Sequence, residues 1–214
     1  MKGIIGAICG DIIGSSREFR PIKTKDFRLY NGYSTFTDDT VMTLAIASWL
    51  MKDKSSMDVL ISEIKAFGLK YPHAGYGGMF KKWLTQDNPK PYGSWANGSA
   101  MRVSPVAWVA DSLEESQKLA RMSAIVTHDH PEGIKGAVVT AMCIYYAKKG
   151  KDKNFIRNYV GQYYDINFDY SKLKKEYYFN ETCQETVPQA IYCFLISNGF
   201  EDCIRTTISI GGDC

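Results

Sequence analysis

Two adjacent carboxylates, Asp38 and Asp39, stand among hydroxyls in Thr35-Phe36-Thr37-Asp38-Asp39-Thr40, immediately before a long apolar run. Neighbouring aspartates repel each other, so a chain that buries them has to supply a cation. Hard divalent ions such as Mg2+ or Ca2+ take oxygen ligands, and Thr37-Asp38-Asp39 offers a hydroxyl and two carboxylates in consecutive positions. The same residues suit a helix start equally well. Thr37 or Asp38 as N-cap would satisfy free N–H groups, and acidic side chains complement the positive end of the helix dipole. Local sequence leaves ligation and capping both open. Asp11 poses a related question: it interrupts the apolar run around Gly6, Gly10 and Gly14, and a carboxylate buried there needs hydrogen bonds or a nearby cation. At the other end, a short apolar stretch runs into Gly211-Gly212-Asp213-Cys214.

Taken in order with Asn97-Gly98-Ser99-Ala100-Met101-Arg102, these segments resemble the ADP-ribosylglycohydrolase family of the dinitrogenase-reductase-activating type, over the whole chain from Met1 to Cys214. The resemblance implies a binuclear Mg2+ centre held by Thr37, Asp38, Asp39 and Asp213. It implies Glu18, four residues past Gly14, and Asp38 as catalytic carboxylates. The ligand would be ADP-ribose carried by a protein side chain or small acceptor, cleaved at the glycosidic bond of its distal ribose. Its pyrophosphate would lie on Gly75, Tyr76, Gly77 and Gly78 and beside Asn97, Gly98 and Ser99, with His128 next to ribose and phosphates. The family's sequences continue from Gly-Gly-Asp into a further Asp and Thr, and this sequence stops before them. The expectation for the 214-residue chain is weak metal occupancy and reduced turnover, with a protein that binds ADP-ribose without hydrolysing it as the alternative.

Read as residues alone, the same motifs are plainer. His73-Ala74-Gly75-Tyr76-Gly77-Gly78 is a glycine-rich turn opening onto a helix, which either presents N–H groups to an anion or simply connects two elements. Glu18 is flanked by Arg17 and Arg20, solvated partners if it has no other role. His128 and His130 are two apart, a spacing that does not converge on a helix, so no zinc pair is expected. No G-x-S-x-G elbow, P-loop or dinucleotide fingerprint is present. The six cysteines show no C-x-x-C spacing and read as free thiols of a reducing cytoplasm. A net charge of +3 with scattered lysines offers no nucleic-acid face, and the Lys148-Lys149-Gly150-Lys151 and 172–175 clusters read as solvated. Near the N-terminus the apolar stretch lasts only seven residues, against the ~20 that a membrane span needs.

The elements that must carry these residues read as helices throughout. Residues 40–52 are apolar all round, the pattern of a central helix. Met57, Leu60, Ile61, Ile64 and Phe67 fall at helical spacing and end at Tyr71-Pro72. Ser112-Leu113-Glu114-Glu115 is a capping box, Pro131 opens the next helix and Gly150 closes it. Residues 152–163, 186–198 and 201–209 repeat the pattern. The glycines Gly6, Gly10 and Gly14 make a stripe suited to a close helix crossing. Residues 23–34 and 165–181 read as loops that set acceptor choice. At 214 residues and 45% hydrophobic, with no sustained alternation, the expectation is one domain over residues 1–214, all-α, with orthogonally packed helices.

Overall fold

The structure, a computed structural model, describes residues 2–213. Among them there is no β-sheet, only an isolated antiparallel bridge between Ala96 and Thr182. The helices are α1 (Lys2–Gly14), α2 (Asp38–Asp53), α3 (Met57–Lys70), α4 (Gly78–Leu84), α5 (Gly98–Met101), α6 (Ser104–Val109), α7 (Leu113–Ile125), α8 (Pro131–Lys148), α9 (Lys153–Val160), α10 (Tyr170–Glu176), α11 (Cys183–Ile196) and α12 (Phe200–Ile210). None is long and apolar enough to cross a membrane. Cys9, Cys143, Cys183, Cys193 and Cys203 are free thiols, and Cys214 lies outside the described residues.

Local chemistry accounts for where these helices begin. The side chains of Ser56, Ser112, Asp152 and Asp169 each accept the N–H three residues on, satisfying donors that a helix start leaves free. His130 does the same through Nδ1 for the N–H of Glu132, and Pro131 stands at the first position of α8, where no N–H is needed. The capping box at Ser112 closes differently from its usual form: Glu115 accepts the N–H of Asp111, one residue before the cap.

Tertiary packing corrects several expectations. α2 starts at Asp38, and its apolar residues do not all turn inward, since Leu44 and Met51 are exposed. The helix at the centre is α8, which packs on α5, α6, α7, α9 and α11. Its inward side is built of small residues, Gly133, Gly136, Ala137 and Ala141, which let neighbours come close. A Cβ at Gly133 would stand 2.6 Å from the Ser94 carbonyl. The α1 glycines do not mark a backbone-on-backbone crossing: Cβ atoms at Gly6 and Gly10 would meet Phe200 and Ile204 of α12 at 3.7 and 3.6 Å, ordinary contact distances. Residues 165–181 are not all loop, because Asp169 caps α10, and α11 begins at Cys183 with Pro188 inside it. Lys148, read as solvated, donates to the carbonyls of Ala107, Trp108 and Ala110 and so caps the end of α6.

Beside a smaller cluster of Tyr192, Cys193 and Ile210, two large clusters of buried side chains form most of the core among the described residues. One joins α2, α3 and α4 through Ile46, Trp49, Leu60, Ile64 and Trp83, and the other joins α6, α8, α9 and α11 through Ala107, Met142, Ile156, Val160 and Leu195. The start of α2, α5 and the segments before α4 and α5 meet between them.

Candidate active site

Asp11 explains why α2 begins where it does. From the far side of an inter-helix contact its carboxylate accepts the N–H groups of Thr37 (2.8 Å) and Thr40 (3.2 Å), the Thr37 hydroxyl (2.6 Å) and the Thr40 hydroxyl. Thr37 in turn accepts the N–H of Asp39 at 3.3 Å, as an N-cap does. The alternatives left open by the sequence are thereby divided among the residues. Thr37 and Asp11 do the capping; the Thr37 hydroxyl donates its proton to Asp11, which leaves an oxygen lone pair for the metal expected there, and Thr37 is not among the residues that line the cavity. Asp38 and Asp39 are left free to face the cavity.

That cavity, of about 280 Å3, is lined by Glu18, Asp38, Asp39, Glu181 and Asp213, brought together from the two ends of the sequence. Burial raises the Glu18 pKa to about 7, reinforced by the charges of Asp213, Asp38, Asp11 and Glu181. Burial likewise lifts Asp38 to about 6; its own backbone N–H and Lys81 oppose the shift, and Asp11 and Asp213 add to it. Asp39 is pushed well up by burial and then by Asp38, Asp11, Asp213 and Glu18. Asp213 is raised by burial and partly relieved by the Asn97 amide, which donates to it at 2.7 Å. The donors on this wall are all oxygens, and a hard cation beside them would offset the repulsion that raises their pKa values. No three of them are gathered tightly round a single point among the described residues, so water would have to complete a coordination shell.

The turn before α4 lies against Asp38, whose N–H donates to the carbonyl of Ala74 at 2.7 Å. Gly75 has φ +111°, and a Cβ there would come 3.1 Å from Asp38 Oδ1, so both conformation and space call for glycine. Gly77 and Gly78 also line the cavity. Tyr76 does not: it is buried in the core and packs on Phe80 with ring centroids 5.4 Å apart. Asn97 and Gly98 line the cavity, whereas Ser99 is turned away and donates to the carbonyl of Gly133 at 2.7 Å. Asp39, Asn97 and Asp213 border a second, mainly apolar groove of about 600 Å3 against α1, α6, α8 and α11.

His128, also in the wall, is buried, and burial followed by the charge of Arg102 pushes its pKa well below the usual value. His130 caps α8 and packs on Trp95, and Asp129 accepts the N–H of Gly93. Sequence reasoning assigned no role to several wall residues: Arg102, Tyr92, Glu181 and the aromatic pair Phe19 and Phe179, whose centroids are 5.7 Å apart. Arg102 had a signal, a charge set among Ala100, Met101 and Val103; Glu181 and Phe179 were covered only by the reading of 165–181 as a loop at the site.

Comparison with known proteins gives the family and the fold. The family model for ADP-ribosylglycohydrolase matches residues 1–214. ADP-ribosylhydrolase ARH3 of Homo sapiens is 29% identical over 245 residues, covering 83% of this chain and 66% of the relative. ARH3 of Mus musculus is 29% identical over 242 residues, covering 83% and 65%. The chain thus spans just under two thirds of the length of these curated relatives. A solved structure described as an ADP-ribosylglycohydrolase-related protein complex shares the fold at a TM-score of 0.73 and 19% identity, covering 98% of this chain and 80% of that one. With the family match running from the first residue to the last, this chain belongs to the ADP-ribosylglycohydrolase family.

Proposed function

We propose that this chain, as one domain over residues 1–214, hydrolyses the glycosidic bond between ADP-ribose and a protein side chain or small-molecule acceptor, with Mg2+ at the acidic end of the cavity. The observation that carries the reading is the meeting of Glu18, Asp38, Asp39 and Asp213 on one wall, with a Glu18 pKa near 7. The family is metal-dependent, and Asp38, Asp39 and Asp213 are the residues that would hold up to two Mg2+ ions. When bound, the metal supplies positive charge to orient the ribose hydroxyls and the attacking water and to offset developing negative charge. Glu18 is matched to proton transfer at neutral pH. Its carboxylate takes a proton from water as the water oxygen bonds to the ribose anomeric carbon. The bond from that carbon to the acceptor nitrogen or oxygen breaks, and the acceptor leaves with the proton that Glu18 took from the water, which returns Glu18 to its starting state. In the metal-free protein the charge of Asp38 adds to Glu18's proton affinity, after burial and Asp213. Gly77, Gly78, Asn97, Gly98 and His128 form the part of the wall that would face the diphosphate, and Phe19 and Phe179 limit water at the rim.

The test is release of ADP-ribose from serine- and arginine-linked mono-ADP-ribosylated peptides, with Mg2+ and with a chelator. Turnover is expected only with the ion. Glu18→Gln should lose about a hundredfold or more in kcat while its ADP-ribose Kd, measured by calorimetry, stays within about threefold. Turnover that survives both the chelator and Glu18→Gln would overturn the reading.

A further inference from the structure

Arg102 is 1% exposed, and among the described residues no carboxylate pairs with it. A guanidinium buried without a counter-charge is costly, so its contacts call for a reason. Its Nη2 donates to the carbonyl of Ser123 at 2.6 Å and to Thr127 Oγ1 at 2.8 Å. Thr127, fully buried, has its Oγ1 2.7 Å from His128 Nδ1. The direction of that last bond follows from proton counting. An arginine has only donors, so the Thr127 hydroxyl accepts from Arg102; its own proton finds Nδ1 as the one acceptor in hydrogen-bond contact among the described residues, and points there. A neutral imidazole whose Nδ1 accepts carries its own proton on Nε2. Nε2 lies against Gly98, also in the cavity wall, where a Cβ would stand 2.9 Å from it. No protein partner for Nε2 is found among the described residues.

We propose that Arg102 is a positioning residue which, through the Thr127 hydroxyl, fixes His128 as the Nε2–H tautomer, so that the ring offers the cavity a hydrogen-bond donor and never a base. The ligand atom this selects is an acceptor, a phosphoryl oxygen, and that identification rests on the function proposed above; the tautomer itself is a property of the free protein. The positive charge of Arg102 and the burial of the ring both oppose a second proton on it, which keeps the tautomer in place through neutral pH. Gly98 leaves room for the oxygen.

Nitrogen-15 NMR of histidine-labelled protein tests the lock, the His128 signals being those that vanish in His128→Gln. In the wild type Nε2 should be protonated and Nδ1 bare from about pH 6 to about pH 8. Arg102→Met risks unfolding, so Thr127→Val, which keeps shape and removes only the hydroxyl, is the deciding variant. It should show mixed tautomers and bind ADP-ribose about tenfold more weakly, with helix content unchanged by circular dichroism, and Thr127→Ser should restore both. A wild-type proton on Nδ1, or a Thr127→Val protein with unchanged tautomer and unchanged Kd, overturns the proposal. A wild type with the stated tautomer, lost in Thr127→Val, that binds no ADP-ribose upholds the lock and sinks the hydrolase reading instead.

Discussion

Glu18, Asp38, Asp39 and Asp213 all have folded-state pKa values above their ordinary ones, and this determines how the metal-free protein responds to pH. A carboxyl with a raised pKa holds its proton longer in the folded chain than in the unfolded one. Over that window the folded state binds more protons, so stability falls as pH rises. For Asp38 the window runs from 3.8 to about 6, and for Glu18 from 4.5 to about 7. Glu63, Glu115, Asp53 and Asp202 have lowered values and act oppositely, but they lose their contribution only below the ordinary carboxylate range; His128, lowered from 6.5, also acts oppositely and offsets part of the fall below that pH. The expected outcome is a melting temperature that drops by about 5 °C between pH 5 and pH 7.5 with chelator present and recovers on adding Mg2+. A flat profile measured by circular dichroism would count against a charged, cation-seeking wall. Asp39→Asn removes one of the repelling charges, so at pH 7.5 without metal it should melt higher than the wild type and gain little from Mg2+.

At the scale of elements, α2 is held in place by a carboxylate from α1 that accepts two N–H groups and two hydroxyls. Asp11→Ala leaves those donors partly unsatisfied in a buried place, and should cost about 2–3 kcal/mol in urea unfolding. Because Asp38 and Asp39 occupy the first turn of the helix so anchored, the Mg2+ response should weaken with it. The turn before α4 offers a sharper comparison. Gly75 combines positive φ with a close approach to Asp38, whereas a Cβ at Gly77 or Gly78 would meet open space. Gly75→Ala should lose about 1–2 kcal/mol, and Gly77→Ala and Gly78→Ala should melt close to the wild type. Equal melting of all three would remove the conformational account of this turn.

Across the whole molecule, the two ends of the chain are tied to each other near the cavity. Lys25 pairs with Asp202 at 3.0 Å, and Arg205 donates to the carbonyls of Lys25 and Phe27 while its guanidinium stacks over the Phe27 ring. Lys23 donates to the carbonyls of Ile210 and Tyr177, the first of which closes α12 three residues before Asp213. These ties hold the segment after Glu18, the end of α12 and the approach to Phe179 in one arrangement. Lys23→Met should therefore raise the Mg2+ concentration for half-maximal thermal stabilisation about fivefold or more, through lost charge-assisted bonds to the segment bearing Asp213. Lys25→Met, which breaks a half-exposed pair, should change it little. Identical titrations for both variants would show that the ties do not position the metal-facing carboxylates.

Residue types alone were enough to locate most helices and the acidic motifs, because caps, proline and glycine act within a few residues of themselves. Ser56, Ser112, Asp152, Pro131 and Gly150 stand where such signals put them. The family was likewise legible from the motifs, and it was the resemblance, not residue types alone, that implied Asp213 beside Asp38 and Asp39. Which way each side chain faces was not. One residue along a helix turns the side chain by about 100°, so Asn97 and Gly98 reach the cavity while Ser99 meets Gly133, and Gly75 lines the wall while Tyr76 enters the core. The split between Thr37 as cap and Asp38 and Asp39 as wall depends on Asp11, 26 residues away from Thr37 and in contact only after α1 packs on α2. The burial of Arg102 beneath Thr127 and His128, and the central place of α8, come from small residues whose value lies in what approaches them. Capping is a local interaction, but facing, burial and the sharing of a proton are set by whichever distant element packs alongside, and that choice exists only in the folded chain.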